Sequence, residues 1–199
     1  MPAKEAAPRL ASLETGQQQE RRDCRRGNAV PRSPRAHPAM LQVGTYNVIS
    51  DIICRMRLVV DTNVLLSALR SPLGASYWLI RRILDRSVEA AVTVPVFFEY
   101  EAVLLRSENL DRIGWSASQM QTFLTTLLSV LVPTNVWYLW RPGYAEPADE
   151  MFVECAVASS ANVLVTFNTR DYLQASRRFR FEIQTPAQTV SLLREAGVS

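Results

Sequence analysis

Histidine is almost missing from this chain: His37 is the only one in 199 residues, and it lies in the first quarter of the sequence. A Ser-His-Asp triad, a Cys-His pair, a HExxH zinc site and a histidine general-base nuclease each need an imidazole in the folded core, so all four are excluded. Cysteine is scarce too. The three present, Cys24, Cys54 and Cys155, are far apart and contain no CxxC pair, which argues against a disulfide scaffold or a structural zinc and for a reducing cytoplasm. No apolar stretch reaches the roughly 18 residues of a membrane-spanning helix; even FLTTLLSVLV is broken by Thr125, Thr126 and Ser129. The start of the chain has basic residues but no apolar run of the kind a secretory leader needs. Any catalysis must therefore run on carboxylates, hydroxyls or metals.

What is present is an ordinary globular composition, 48% hydrophobic and 21% charged, enough for one domain. The net charge of +3 invites a nucleic-acid reading until it is divided along the chain. Residues 1–55 hold nine Lys and Arg against five Asp and Glu, whereas residues 56–199 hold 13 against 14. The positive charge belongs to the first segment. That segment is rich in Arg, Gln, Ala, Pro and Glu without hydrophobic period, and is expected to be a disordered Arg-rich extension. It reads either as a dispensable extension, with Met40 and Met56 as alternative starts, or as an arm that holds RNA phosphates.

From residue 57 onward short β-branched runs alternate with helical patterns. RLVV predicts a strand, NVLLSALR a short helix, and GASYWLIRRILDR an amphipathic helix with Trp78, Leu79, Ile83 and Leu84 inward. VEAAVTV predicts a strand, PVFFEYEAVLLR a helix opened by Pro95, SASQMQTFLTTLLSVL a helix with a Ser cap, and TNVWYLW a strand. PADEMFVECAVASSA predicts a helix again started by Pro, NVLVTF a strand, TRDYLQASRR a short helix, RFEIQT a strand, and PAQTVSLLREAG a last helix ended by Gly197. Such alternation predicts a three-layer α/β/α domain over residues 56–199, with a central, mainly parallel sheet.

In such sheets chemistry gathers beyond the carboxyl ends of the strands. Asp61 follows the strand RLVV, directly before TNVLL, where an acid is badly placed for solvation but well placed for a strand-end site. Asn168 and Asp171 follow VLVTF and share that edge if the two strands are parallel. Asp149 and Glu150 open a helix, and spacing alone does not place them; Asp149 could equally serve the helix dipole, and Asp171 could be an ordinary cap. Glu99 and Glu101 both sit among apolar neighbours, and pattern does not choose between them. Clustered carboxylates raise one another's pKa unless a cation neutralises them. With only oxygen ligands on offer, the expected ion is hard, Mg2+ or Mn2+.

The ordered set DTNV, EYxxVL, DExxxExA and VTxNxRDY resembles the PIN-domain family, in particular the VapC-like toxins of toxin-antitoxin pairs, over about residues 57–193. The resemblance implies a metal-dependent endoribonuclease whose four acids are Asp61, Glu99, Asp149 and Asp171, acting both as catalytic groups and as metal ligands. It selects Glu99 over Glu101 and brings the Asp149 helix to Asp61. Thr62, Asn63, Thr166 and Asn168 would support the site. Asn168 stands where some members carry Asp, which leaves one charge fewer for a second metal. RNA would be met by Arg170, Arg177 and Arg178, with Arg180 beyond them, although a solvated face explains that run too. An antitoxin protein and a homodimer are the implied partners, with no membrane. One alternative is a catalytically idle PIN-like binding module. Another, an aspartate-nucleophile phosphotransferase, needs a second acid where Asn63 stands.

Overall fold

The computed structural model describes residues 56–137 and 149–198. The expected disordered extension, with His37, Cys24 and Cys54, lies outside the described residues, as do Pro147, Trp140 and the last part of the strand expected in TNVWYLW.

Strand β1 (Arg57–Val60) lies at the centre of a five-stranded sheet, with β2 (Glu89–Val92) and β3 (Val132–Pro133) on one side and β4 (Val163–Val165) and β5 (Glu182–Gln184) on the other. All four pairings are parallel, with Val60 opposite Val165. The central strands read as unbroken apolar runs because both faces are covered: Leu58, Val59, Leu164 and Val165 are fully buried. Burying each such side chain contributes about 1.5–3 kcal/mol.

Helices α1 (Thr62–Arg70) and α2 (Ala75–Leu84) join β1 to β2; α3 (Val94–Leu104), α4 (Ser107–Ile113) and α5 (Ala117–Val130) join β2 to β3. Helix α6 (Glu150–Ala158) precedes β4 and packs against β1, β2 and β4, α7 (Leu173–Arg178) links β4 to β5, and α8 (Pro186–Glu195) packs on α2. The result is the expected three-layer α/β/α arrangement. The chain moves outward from β1 to β2 and β3, then returns to build β4 on the other side of β1. The strand order therefore reverses between β1 and β4, which is where such sheets open a crevice at their carboxyl edge.

Several boundaries differ from the sequence expectation. The third strand is Val132–Pro133, directly after α5, and the amide of Thr134 adds one further bond to the carbonyl of Val92 at 2.8 Å. Residues 134–137 are not in the sheet, and Trp137 is 82% exposed. Helix α4 was not expected. In α2 the inward residues are Ser76, Leu79, Ile80 and Ile83, whereas Trp78 and Leu84 are only half-buried. Helix α5 is amphipathic: Met120, Phe123, Leu124 and Leu127 are buried while Gln121, Thr122, Thr125 and Ser129 face water.

Candidate active site

The crevice begins with two side chains that parallel pairing sets side by side. Asp61 follows β1 and Thr166 follows β4; the amide of Asp61 donates to the carbonyl of Val165 at 2.9 Å, and the Thr166 hydroxyl donates to Asp61 Oδ2 at 2.6 Å. Asp61 is also the N-cap of α1. Its Oδ1 accepts from the backbone amide of Asn63 at 3.2 Å and its Oδ2 from Asn63 Nδ2 at 2.9 Å. Thr166 Oγ1 in turn accepts from the amide of Asn168 at 3.0 Å, and the Asn168 carbonyl accepts from the amide of Asp171 at 3.1 Å. A short relay of neutral donors therefore ties both strand ends to one carboxylate.

That carboxylate is buried, and burial pushes its pKa above the ordinary value, partly offset by the bonds from Thr166 and Asn63. No cation contributes. Around it lie buried oxygens without hydrogen-bond partners among the described residues, Asn63 Oδ1 and Thr62 Oγ1.

Tyr172 shows what the turn after β4 brings in. Its ring is wholly buried, and its phenol is held far above the ordinary tyrosine value, first by burial and then by the carboxylates of Asp61, Asp149 and Asp171. Three of the four expected acids thus act on one hydroxyl, and Asp149 is the one that also hydrogen-bonds to it. Asp149 is not inside a helix, as its spacing after Pro147 suggested, but is the N-cap of α6. Its side chain makes no capping bond, although its place at the helix start still suits the dipole. Asp171 does not cap α7 either; Tyr172 holds that position without a side-chain cap.

Glu99 enters from another direction. It is half-buried in α3, directly before Tyr100, whose hydroxyl donates to the carbonyl of Val60 under Asp61. Burial, then Cys155 and Asp61, raise the Tyr100 phenol well above its ordinary value. Tyr100 therefore pins α3 to the end of β1, but no recorded contact joins Glu99 itself to the other acids. Glu101 is likewise half-buried.

The donor chemistry fits a hard divalent ion: a buried, uncompensated carboxylate flanked by neutral oxygens, with two further acids nearby. Their spacing is open. Among the described residues no three Asp, Glu, His or Cys side chains are drawn together closely enough to form a metal site as they stand. Arg170, Arg177 and Arg178 are exposed, the last two on the final turn of α7. Sequence reasoning assigned no role to Tyr100, Tyr172 or Glu154. The last is 8% exposed in α6, and its signal was an acid standing inside the apolar run FVECAV.

A parallel sheet with an acid-bearing crevice at its reversal point defines a doubly wound α/β protein, a class that takes its ligands at that crevice. A family model described as PIN domain matches residues 57–170, more than half of the chain, and the protein belongs to the PIN-domain family. PIN domains are generally nucleases, and those nucleases typically use divalent metals. Among solved structures the chain is similar to one titled "Structure of FitAB bound to IR36 DNA fragment", at 20% identity and a TM-score of 0.44, covering 65% of this chain and 94% of that one. No curated protein matches at a significant level. Among the described residues no helix is long and apolar enough to cross a membrane.

Proposed function

We propose that the protein is a metal-dependent endoribonuclease acting on single-stranded or looped RNA, and the toxin of a type II toxin-antitoxin pair. The observation that carries this reading is Asp61: a buried carboxylate at the sheet's reversal point, held only by neutral donors, in a family of nucleases. Asp61 and Asp149 would hold Mg2+ or Mn2+, with Asp171 and Glu99 completing the donor set or orienting water. A bound ion lowers the pKa of the attacking water and offsets the negative charge that develops on the phosphoryl oxygens. Thr166 and Asn63 keep the Asp61 carboxylate fixed in direction. Tyr172, protonated at any physiological pH, offers a hydroxyl to the acids around it. The exposed Arg170, Arg177 and Arg178 would meet RNA phosphates, making binding weaken with salt.

The implied antitoxin, and a second copy of this chain, need apolar surface. The outer side of α3 offers Val94 and Phe98, 66% and 60% exposed. A second reading, an idle binding module of PIN-like fold, is favoured by the open spacing of the acids. Cleavage assays separate the two. Wild-type protein with Mg2+ or Mn2+ is expected to cut single-stranded RNA and to stop when EDTA is added. Asp61→Asn and Asp149→Asn are each expected to lose about a hundredfold or more of that activity with the fold intact. Undiminished cutting by either variant defeats the site assignment; no cutting by the wild type across varied RNAs gives the binding module.

A further inference from the structure

A second feature shares no residue with the crevice. Between α2, α8 and the loop before α2 runs an open groove of about 620 Å3, lined by Pro72, Leu73, Trp78, Arg81, Arg82 and Arg194 among others. Arg82 belongs to the last turn of α2, and its carbonyl accepts from the amide of Val88, one residue before β2 begins. Arg194 belongs to the last turn of α8, the helix that leaves the carboxyl end of β5. Both arginines are therefore near the amino edge of the sheet, opposite the edge that carries Asp61.

The guanidinium groups of Arg82 and Arg194 lie over the Trp78 ring, at 5.7 and 5.2 Å from its centroid. Stacking on an aromatic holds an arginine in place and leaves its N–H edge free to meet an anion. Arg82 is paired with Asp85 at 3.1 Å, but Arg81 and Arg194 make no ion pair among the described residues, and Arg81 Nε is buried without a hydrogen-bond partner. No carboxylate lines the groove. Its rim is apolar: Leu73 is 97% exposed beside Pro72.

We propose that this groove docks an acidic, apolar segment of a partner protein, its carboxylates taken by Arg81 and Arg194 and an apolar side chain seated against Leu73 and Pro72. Charge complementarity selects the occupant. A nucleic-acid base would have to compete with two guanidinium groups for the indole. It would also leave the apolar rim unused. None of the acids that would cut RNA lines the groove, so this inference stands whether or not the nuclease reading does.

The test is fluorescence anisotropy on the full chain with a short labelled peptide mixing Glu and Leu. The same peptide with Lys for Glu and a single-stranded oligouridylate serve as competitors. The acidic peptide is expected to bind, and Arg194→Glu to weaken it about tenfold, the loss of one charge-assisted contact. Arg81→Gln and Leu73→Ser are each expected to weaken it severalfold with circular dichroism unchanged. Arg112→Glu, the same charge change on α4, is expected to leave binding as it was. An equal loss in Arg112→Glu, no loss in Arg194→Glu, or displacement of the peptide by oligouridylate overturns the proposal, the last in favour of a nucleic-acid surface.

Discussion

Asp61 caps α1, ends β1 and faces the crevice, and these duties conflict energetically. As a cap it accepts from Asn63; as a buried acid it loses solvation when ionised. The sign of the consequence follows from linkage. The folded-state pKa lies above the ordinary 3.8, so the unfolded chain releases this proton first as pH rises. At low pH both states hold the proton and no penalty arises. Through and above the ordinary carboxylate range the folded state is disfavoured, and the deficit becomes constant once pH passes the folded value. In EDTA, the melting temperature of Asp61→Asn relative to wild type is therefore expected to rise from acid to neutral pH; a flat or falling difference contradicts the burial argument. Adding Mg2+ or Mn2+ at neutral pH should raise the wild-type melting temperature and raise the variant's by less, because the variant keeps the other acids but loses the buried carboxylate that the ion would neutralise. Asp61 was legible in sequence because strand ends are read from apolar runs, whereas Thr166 came only with the family resemblance. Tyr172 was not, because its direction depends on the turn through residues 169–172, which no periodicity encodes. Asp149 was half legible: its place beside a helix start was clear, but not whether it served the helix or the crevice.

Elements were read best where local chemistry and packing agree. Helix α5 starts at a full capping box, Ser116 with Gln119, and α8 at Thr185 with Gln188, both visible as Ser or Thr followed three positions later by Gln. Ser116→Ala is expected to cost about 1 kcal/mol in urea unfolding, with the slope unchanged. Leu164, wholly buried in the middle of β4, gives a larger effect: Leu164→Ala is expected to cost about 2–5 kcal/mol by the same measurement. Helix α4 escaped notice because only Asn109 and Ile113 of its seven residues are buried, leaving no apolar stripe to detect. Gly114, with φ of 78°, ends it in a conformation that glycine adopts without strain. The third strand was misplaced because TNVWYLW has strand-like residues, while the pairing with β2 is won by the two residues that α5 delivers alongside it.

For the whole molecule, the alternation of strands and helices was enough to reach the architecture, and the reversal of strand order gave the position of the crevice. What alternation could not supply was how closely the acids approach, since that depends on α3 and α6 arriving from different connections. The family match and the sheet both begin at residue 57. A chain begun at Met56 is therefore expected to melt within a few degrees of the full chain and to keep its metal-dependent cleavage. A marked loss of cleavage with the fold intact would instead give the first 55 residues the role of an RNA-holding arm.

The sheet's two borders carry a further consequence. Its outermost strands, β3 and β5, are two and three residues long. Among the described residues, a stranger's backbone laid along either margin finds few amides and carbonyls to zip onto, and such brevity at the flanks disfavours fibril growth from them.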